Sequence, residues 1–187
     1  MYRHLENFLA HEDDSAKRAL AISHSANLAA TLGLPSVAVV EANHPEHDVA
    51  ALTFADQEFD FVLADQVLEH VAADPFRVLA ECARVTRPGG YVVHTTCFFQ
   101  FIHQTPLDFW RFTPNALRLL AESNDLEVVR LGGWGNRDAW SYMQMGYRME
   151  KIPEEPGNPL YALALKNDKK YPITTWVIGR KPVTAES

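Results

Sequence analysis

Short apolar strands alternate with short helices along most of the chain, and this alternation constrains the fold more than any other feature. The strand-like segments are RALAIS, SVAVVEA, FDFVLAD, YVVHTT and LEVVRL, followed later by TTWVIGR. Residues 59–65 are apolar on both faces, which is typical of a central strand covered by helices on both sides. Alternating strands and helices predict a parallel sheet with right-handed crossovers. We therefore predict a doubly wound α/β fold.

Local capping signals predict where the helices begin. Asp74 and Thr113 each precede a proline, and a capping side chain followed by proline is typical of a helix start. Asn27 is the predicted N-cap of an earlier helix that ends at Gly33. A further helix is expected within residues 1–14, because Leu5, Phe8 and Leu9 recur at helical spacing.

Length and composition are those of one domain, which we expect to span residues 1–187. Residues 134–172 have little periodicity and are expected to form an insertion or lid between the last two strands. The formal charge of -7 argues against a nucleic-acid partner. The chain shows no signal-peptide pattern and no apolar run of membrane-spanning length, and Cys82 and Cys97 are expected to be inert thiols, so we expect a cytoplasmic protein.

The segment ALAISHSANLAATLG predicts a strand, a tight turn and a helix. A nucleotide-binding fold normally places glycines in such a turn, because they permit positive φ and close approach of a ligand. Ser23, His24 and Ser25 stand there instead. The turn therefore predicts a remodelled cofactor loop, with weakened binding, or the loss of a cofactor site.

An ordered set of motifs follows from Asp48 onward. The matching positions are Asp48, Leu52, Phe54, Phe59-Asp60, Leu68, His70-Val71 and the run from Arg84 to Gly90. In order and spacing this set resembles the class I S-adenosylmethionine-dependent methyltransferases, particularly their type 11 small-molecule branch. The resemblance implies a Rossmann-like, mostly parallel sheet with an antiparallel last strand, and S-adenosylmethionine as cofactor. The interval between Glu41 and Asp48 is too short for the family's third strand and its helix, so we expect that edge strand to be missing.

The resemblance also implies a set of cofactor-binding positions. Glu41 would accept hydrogen bonds from the ribose hydroxyls, although a solvated acid at the end of a strand is an equally good interpretation. Asp48 would meet adenine, and its alternative role is a turn cap. The full predicted set is Ser23, His24, Ser25, Glu41, Asp48, Val49, Asp65 and Gln66.

The loop after the fifth family strand is where the resemblance places the methyl acceptor. His103 is a candidate proton acceptor, with Asp108 orienting it or pairing with Arg111. An ion pair that merely staples the loop is the alternative for Asp108 and Arg111. The predicted acceptor pocket consists of Phe98, Phe99, Trp110 and Trp134, and the alternative for some of these side chains is a place in the core. No spacing indicates a metal site.

Three functions remain open from the sequence. The first is methyl transfer to a hydroxyl, or less favourably an amine, of a small metabolite or sugar intermediate. The second is a binding or assembly protein that has lost cofactor binding, and the third is another reaction on the same fold. The trimmed sheet edge also predicts a homodimer.

Overall fold

A single six-stranded sheet forms the centre of the protein in a computed structural model, which describes residues 2–104, 106–147, 152 and 154–183. Its strands are β1 (Arg18–Ile22), β2 (Ala38–Ala42), β3 (Phe59–Asp65), β4 (Thr86–Cys97), β5 (Glu127–Trp134) and β6 (Thr174–Arg180). They lie in the order β2-β1-β3-β4-β6-β5. The first four pair in parallel, whereas β6 runs antiparallel to both β4 and β5. The predicted Rossmann-like sheet with an antiparallel last strand is confirmed.

Five helices flank the strands in the described residues. They are α1 (Asn27–Leu32), α2 (Pro75–Val85), α3 (Pro114–Glu122), α4 (Arg137–Gln144) and α5 (Pro159–Leu165). The carboxylate of Asp74 and the hydroxyl of Thr113 accept hydrogen bonds from the first turns of α2 and α3, as their cap positions predicted. The prediction for Asn27 was wrong: it is the first helical residue, and Ala26 occupies the N-cap without a side-chain bond.

Apolar side chains cover both faces of the sheet. One layer includes Val62, Leu79 and Leu117, and the other includes Leu32, Phe61 and Trp176. Because both faces are covered, β3 is buried along almost its whole length, as its continuous apolar sequence predicted. Because β1, β3 and β4 run parallel, their carboxyl ends lie together at one end of the sheet. The candidate site lies at this end.

The N-terminal segment packs against the second layer but does not form the expected α-helix. Leu5 and Leu9 are fully buried, yet only Tyr2–His4 form a short 3₁₀ helix, and turns follow. The backbone N–H groups of Asn7 and Leu9 donate to carbonyls in the last turn of α1, at 2.9 and 2.8 Å. These bonds replace the i to i−4 bonds of a helix and satisfy carbonyls that the end of α1 leaves open.

The third strand and helix of the family are missing, as predicted. Residues 43–58 are all described and contain neither a helix nor a strand, so β2 is the edge strand. Arg84, in the last turn of α2, holds part of this segment: it donates to the carbonyls of Leu52 and Phe54 at 2.8 and 2.9 Å and to the Asp56 carboxylate at 2.7 Å. One guanidinium thus fixes residues 52–56 against α2.

The segment between β5 and β6 contains α4 and α5. Asn136 links the two helices, since its amide donates to the carbonyls of Leu163 and Lys166, both at 3.0 Å. Arg3 reaches the same region and bonds the Tyr161 hydroxyl at 2.7 Å. Within the described residues, none of the helices has the length and apolar character needed to cross a membrane.

Candidate functional site

The loop after β1 keeps the backbone shape of a glycine turn without the glycines. Ser23 and His24 have φ angles of 50° and 64°, in the left-handed region that L-residues seldom adopt. Such a conformation costs a non-glycine residue about 1–2 kcal/mol. The turn therefore has no glycine in its sequence but keeps the positive φ angles that glycines would adopt.

Neighbouring strands hold this strained loop in place. Ser25 is 2% exposed, and its hydroxyl donates to the Ile22 carbonyl and accepts from the backbone N–H of Asp65 at 2.8 Å. The N–H of Ser23 donates to the Ala42 carbonyl at 3.0 Å. The ends of β1, β2 and β3 are thus tied together, and Ser25 has a structural role in addition to its predicted place in the cofactor set.

A carboxylate lies beside the loop at the end of β2. Asn43 accepts from the backbone N–H of His24 at 2.8 Å and donates to Glu41 at 2.9 Å. The His24 side chain is 79% exposed and points its Nδ1 to within 3.9 Å of Glu41. Because His24 extends into solvent and Glu41 is itself exposed, this edge can accept the ribose of a nucleoside, so the residues present fit the cofactor that the resemblance implies.

Two members of the predicted cofactor set take part in local structure. The Asp48 carboxylate is exposed and accepts from the backbone N–H of Ala50 at 2.8 Å, which is the turn-cap geometry. Val49 is 7% exposed and packs in the first apolar layer. The Val49 side chain therefore faces the core, and only its backbone is left for a ligand contact.

The end of β3 carries a carboxylate that the N-terminal segment covers. Asp65 accepts from the hydroxyl of Thr95 and, at 2.8 Å, from that of Tyr2. Burial and the nearby Asp65 charge raise the pKa of the Tyr2 phenol well above its usual value. Gln66 follows with φ of 56°, and its amide donates to Thr95 at 3.0 Å. Tyr2 thus lies over the crevice beside the predicted cofactor residues, a contact that the sequence did not indicate.

The three predicted catalytic residues come together in the loop after β4. Asp108 is 2% exposed at its side chain and lies 3.0 Å from Nδ1 of His103. It also accepts two hydrogen bonds from the Arg111 guanidinium, one of them at 2.8 Å. These Arg111 bonds hold the pKa of Asp108 well below its usual range, despite its burial. Asp108 therefore pairs with Arg111 and also accepts from the backbone N–H of His103 at 2.9 Å, while Nδ1 of His103 is hydrogen-bonded to the Phe101 carbonyl at 3.3 Å.

A second imidazole and a buried carboxylate adjoin His103. The 3₁₀ turn Leu68–His70 follows β3, and the carbonyl of Glu69 accepts from the backbone N–H groups of Phe109 and Trp110 at 2.8 and 3.3 Å. The rings of His70 and His103 pack edge to face with centroids 4.8 Å apart. Neither Glu69 nor His70 was predicted as a site residue, because this docking joins segments that no sequence spacing relates.

The predicted aromatic pocket separates into different neighbourhoods. Phe99 stacks on Trp140, with ring centroids 4.0 Å apart, and Phe98 lies 6.5 Å from the same ring. Trp110 is 39% exposed and donates to the Val71 carbonyl. The ring of Trp134 lies against that of His4, with centroids 4.0 Å apart and the two planes tilted by 31°. Phe98, Phe99 and Trp140 form one cluster, whereas Trp110 and Trp134 contact other partners.

A family model described as a methyltransferase domain, of type 11, matches residues 9–94. The predicted class I methyltransferase resemblance is confirmed. The matched region contains the whole remodelled loop, the end of β3 and the Glu69-His70 turn. No curated protein matches the chain.

Solved methyltransferases share the fold across nearly the whole chain. An S-adenosylmethionine-dependent methyltransferase from Archaeoglobus fulgidus has a TM-score of 0.62 at 14% identity, covering 96% of this chain and 92% of that one. A second, from Methanosarcina mazei, has a TM-score of 0.54 at 15% identity, with coverages of 94% and 97%. The [4+2]-cyclase SpnF has 0.56 at 16% identity, with coverages of 97% and 79%. The family match supports S-adenosylmethionine as the cofactor, and these neighbours show the same fold.

Proposed function

We propose that the protein transfers a methyl group from S-adenosylmethionine to a hydroxyl, or less readily an amine, of a small metabolite or sugar intermediate. The observation that carries this proposal is the 3.0 Å approach of the Asp108 carboxylate to Nδ1 of His103. That contact lies at the edge of the sheet where the remodelled loop also lies. A carboxylate at Nδ1 leaves Nε2 as a proton acceptor.

The cofactor, when bound, supplies a methyl group already activated on its sulfonium, so the protein has little acid-base work to do. Glu41 and the loop of Ser23 and His24 would hold the nucleoside end, and Asp65 and Gln66 would lie beside the methionine end. His103 would accept the proton of the acceptor hydroxyl at Nε2. Asp108 would act as its positioning residue, since it fixes the imidazole without touching substrate.

Substitution of His103 tests the assignment of the proton acceptor. His103→Ala should lower turnover by about 10²–10⁴-fold, the usual contribution of general base catalysis, while leaving cofactor affinity unchanged. His11→Ala is the matched control, because His11 is largely exposed and lies away from this loop. Unchanged turnover in His103→Ala would remove the imidazole from the mechanism.

A second function is favoured by the state of the loop itself. The backbone N–H groups of Ser23 and His24 donate to Ala42 and Asn43, so they do not point at a ligand. The Tyr2 hydroxyl occupies one oxygen of Asp65. These contacts favour a methyltransferase-like binding or assembly protein without cofactor. Calorimetric titration with S-adenosylmethionine and S-adenosylhomocysteine separates the two: micromolar binding supports the enzyme, and no heat at millimolar ligand supports the binding protein.

Two further expectations belong to this proposal. The exposed β2 edge, where Val39 is 39% exposed, is proposed to pair with a second copy of the chain, because an unpaired strand edge favours such association. Sedimentation equilibrium would test this, and a monomer at all concentrations would refute it. A cytoplasmic location also stays a prediction.

A further inference from the structure

Glu69 is a buried carboxylate with no ion pair within 4.0 Å in the described part of the chain, and the charge of Arg111 acts on it only from a longer distance. Its side chain is 0% exposed. One oxygen accepts from the Thr96 hydroxyl at 2.9 Å and the other from the Cys97 N–H at 3.2 Å, both uncharged donors. Buried charges in proteins are normally paired or coordinate a metal ion. The two bonds leave further lone pairs on both oxygens.

Two imidazoles stand next to this carboxylate with their nitrogens prepared as ligands. Nδ1 of His70 lies 2.5 Å from the Leu107 carbonyl. Nδ1 of His103 is hydrogen-bonded to the Phe101 carbonyl at 3.3 Å and lies 3.0 Å from the Asp108 carboxylate. All of these neighbours are acceptors, so both Nδ1 atoms carry the proton and both Nε2 atoms keep a lone pair. A ligating histidine typically has its other nitrogen held in this way by a carbonyl or carboxylate.

The spacing of the three side chains leaves room for an ion. One ligand atom from each of Glu69, His70 and His103 lies within 4.8 Å of the others, and neither imidazole comes within 4.0 Å of the carboxylate. A tetrahedral zinc ion needs ligand bonds of about 2.0–2.2 Å, and hence ligand atoms roughly 3.4 Å apart. The ligand atoms would have to approach one another by at most about 1.4 Å to reach that geometry when an ion binds.

We propose that Glu69, His70 and His103 bind a divalent transition-metal ion, with zinc as the chemically preferred occupant. Two histidines and a carboxylate are a ligand set of zinc sites that keep a fourth position open. The carbonyl of Leu107 holds the His70 ring, and the carbonyl of Phe101 and the carboxylate of Asp108 hold the His103 ring. Binding of the ion does not depend on methyl transfer; only its use toward an acceptor oxygen rests on the proposed function. Because one lone pair cannot hold both an ion and a proton, His103 serves as proton acceptor in the metal-free protein.

Cobalt and zinc titrations of untagged, chelator-treated full-length protein test the site directly. We expect one equivalent of Co²⁺ per chain, with the intense visible absorption of a four-coordinate ion, and its displacement by Zn²⁺. His70→Ala and His103→Ala should abolish this absorption, and His11→Ala should retain it. Asp108→Asn should weaken the affinity by about 10–100-fold, the usual effect of removing the partner of a ligating histidine.

The outcomes separate this inference from the proposed function, because the titrations are made without S-adenosylmethionine. Glu69→Gln is a third variant, and far-ultraviolet circular dichroism would show whether it folds; the two histidine variants decide the matter if it does not. Absence of the absorption in the unaltered chain, or its persistence in both histidine variants, overturns the site. Metal binding without any cofactor binding would refute methyl transfer and leave the site standing.

Discussion

His94 should make the stability of the protein sensitive to mild acid. It lies on β4 between Ala64 of β3 and Val177 of β6, both members of the first apolar layer. It is 1% exposed, and neither ring nitrogen has a hydrogen-bond partner among the described residues. Burial alone lowers the pKa of this imidazole from 6.5 to about 4.

The direction in which stability changes with pH depends on whether the folded or the unfolded chain binds the proton more readily. Between pH 6.5 and pH 4 the unfolded chain protonates His94 while the folded chain keeps it neutral, so acid favours unfolding. The free energy of unfolding is unaffected by His94 above pH 6.5, and the protonation of His94 in the unfolded chain lowers it as the pH drops toward 4. Each pH unit in this window costs about 1.4 kcal/mol, so the loss between pH 7 and pH 5 is about 2 kcal/mol.

Urea unfolding followed by tryptophan fluorescence at pH 7 and pH 5 would measure this loss. His94→Leu has similar volume and no titrating group, so the variant should lose about 2 kcal/mol less than the unaltered chain over that interval. His24→Ala is the control for the loss of a histidine, because the His24 side chain is exposed to solvent. Equal losses in His94→Leu and the unaltered chain would refute the reasoning, and would place the acid sensitivity on other groups.

Three local features give further predictions, each measured by the midpoint of urea unfolding. Asp74→Ala removes the side-chain cap of α2 and should cost about 1 kcal/mol; an unchanged midpoint would contradict this. Ser23→Gly and His24→Gly should each add up to about 1 kcal/mol, since glycine adopts their positive φ without strain; destabilisation by both would show that their side chains matter more. Gly90→Ala should cost about 1–3 kcal/mol through overpacking, because the new Cβ would lie 2.5 Å from the Asp60 carbonyl; a stable variant would refute the close approach.

The sheet could be predicted because its causes are local in the sequence. Residues 59–65 are apolar at every position that two covering layers require, and the caps at Asp74 and Thr113 act within one helical turn. The missing third strand was predictable from simple counting, since the chain between Glu41 and Asp48 cannot hold a helix and a strand. Pattern and length contain this information without knowledge of distant contacts.

The parts that were missed depend on contacts between distant segments. The helical spacing of Leu5 and Leu9 is real, but Asn7 and Leu9 donate to the end of α1 instead of to their own helix. The approach of Tyr2 to Asp65 spans 63 residues. Neither contact leaves a periodic pattern in the sequence. The sequence therefore could not predict that the N-terminal segment covers Asp65.

The sequence predicted only the part of the candidate site that lies in the loop after β4. His103, Asp108 and Arg111 are close in sequence, and one loop suffices to join them. Glu69 and His70 join them only because the loop after β4 docks its backbone on the 3₁₀ turn. A histidine pair separated by more than thirty residues has no spacing signature of a metal site, and so the sequence favoured a structural role for His70.

The anchoring of residues 52–56 by Arg84 links α2 to the segment between β2 and β3. A third strand would fasten this segment through a ladder of backbone bonds, in which the loss of one rung leaves its neighbours in place. Here the carbonyls of Leu52 and Phe54 share a single donor group, and the backbone N–H of Leu52 donates to Glu81 on the same helix at 2.8 Å, so neighbouring side chains of α2 hold the segment together. The position of residues 52–56 is therefore set by side chains of α2 and not by pairing with a neighbouring strand.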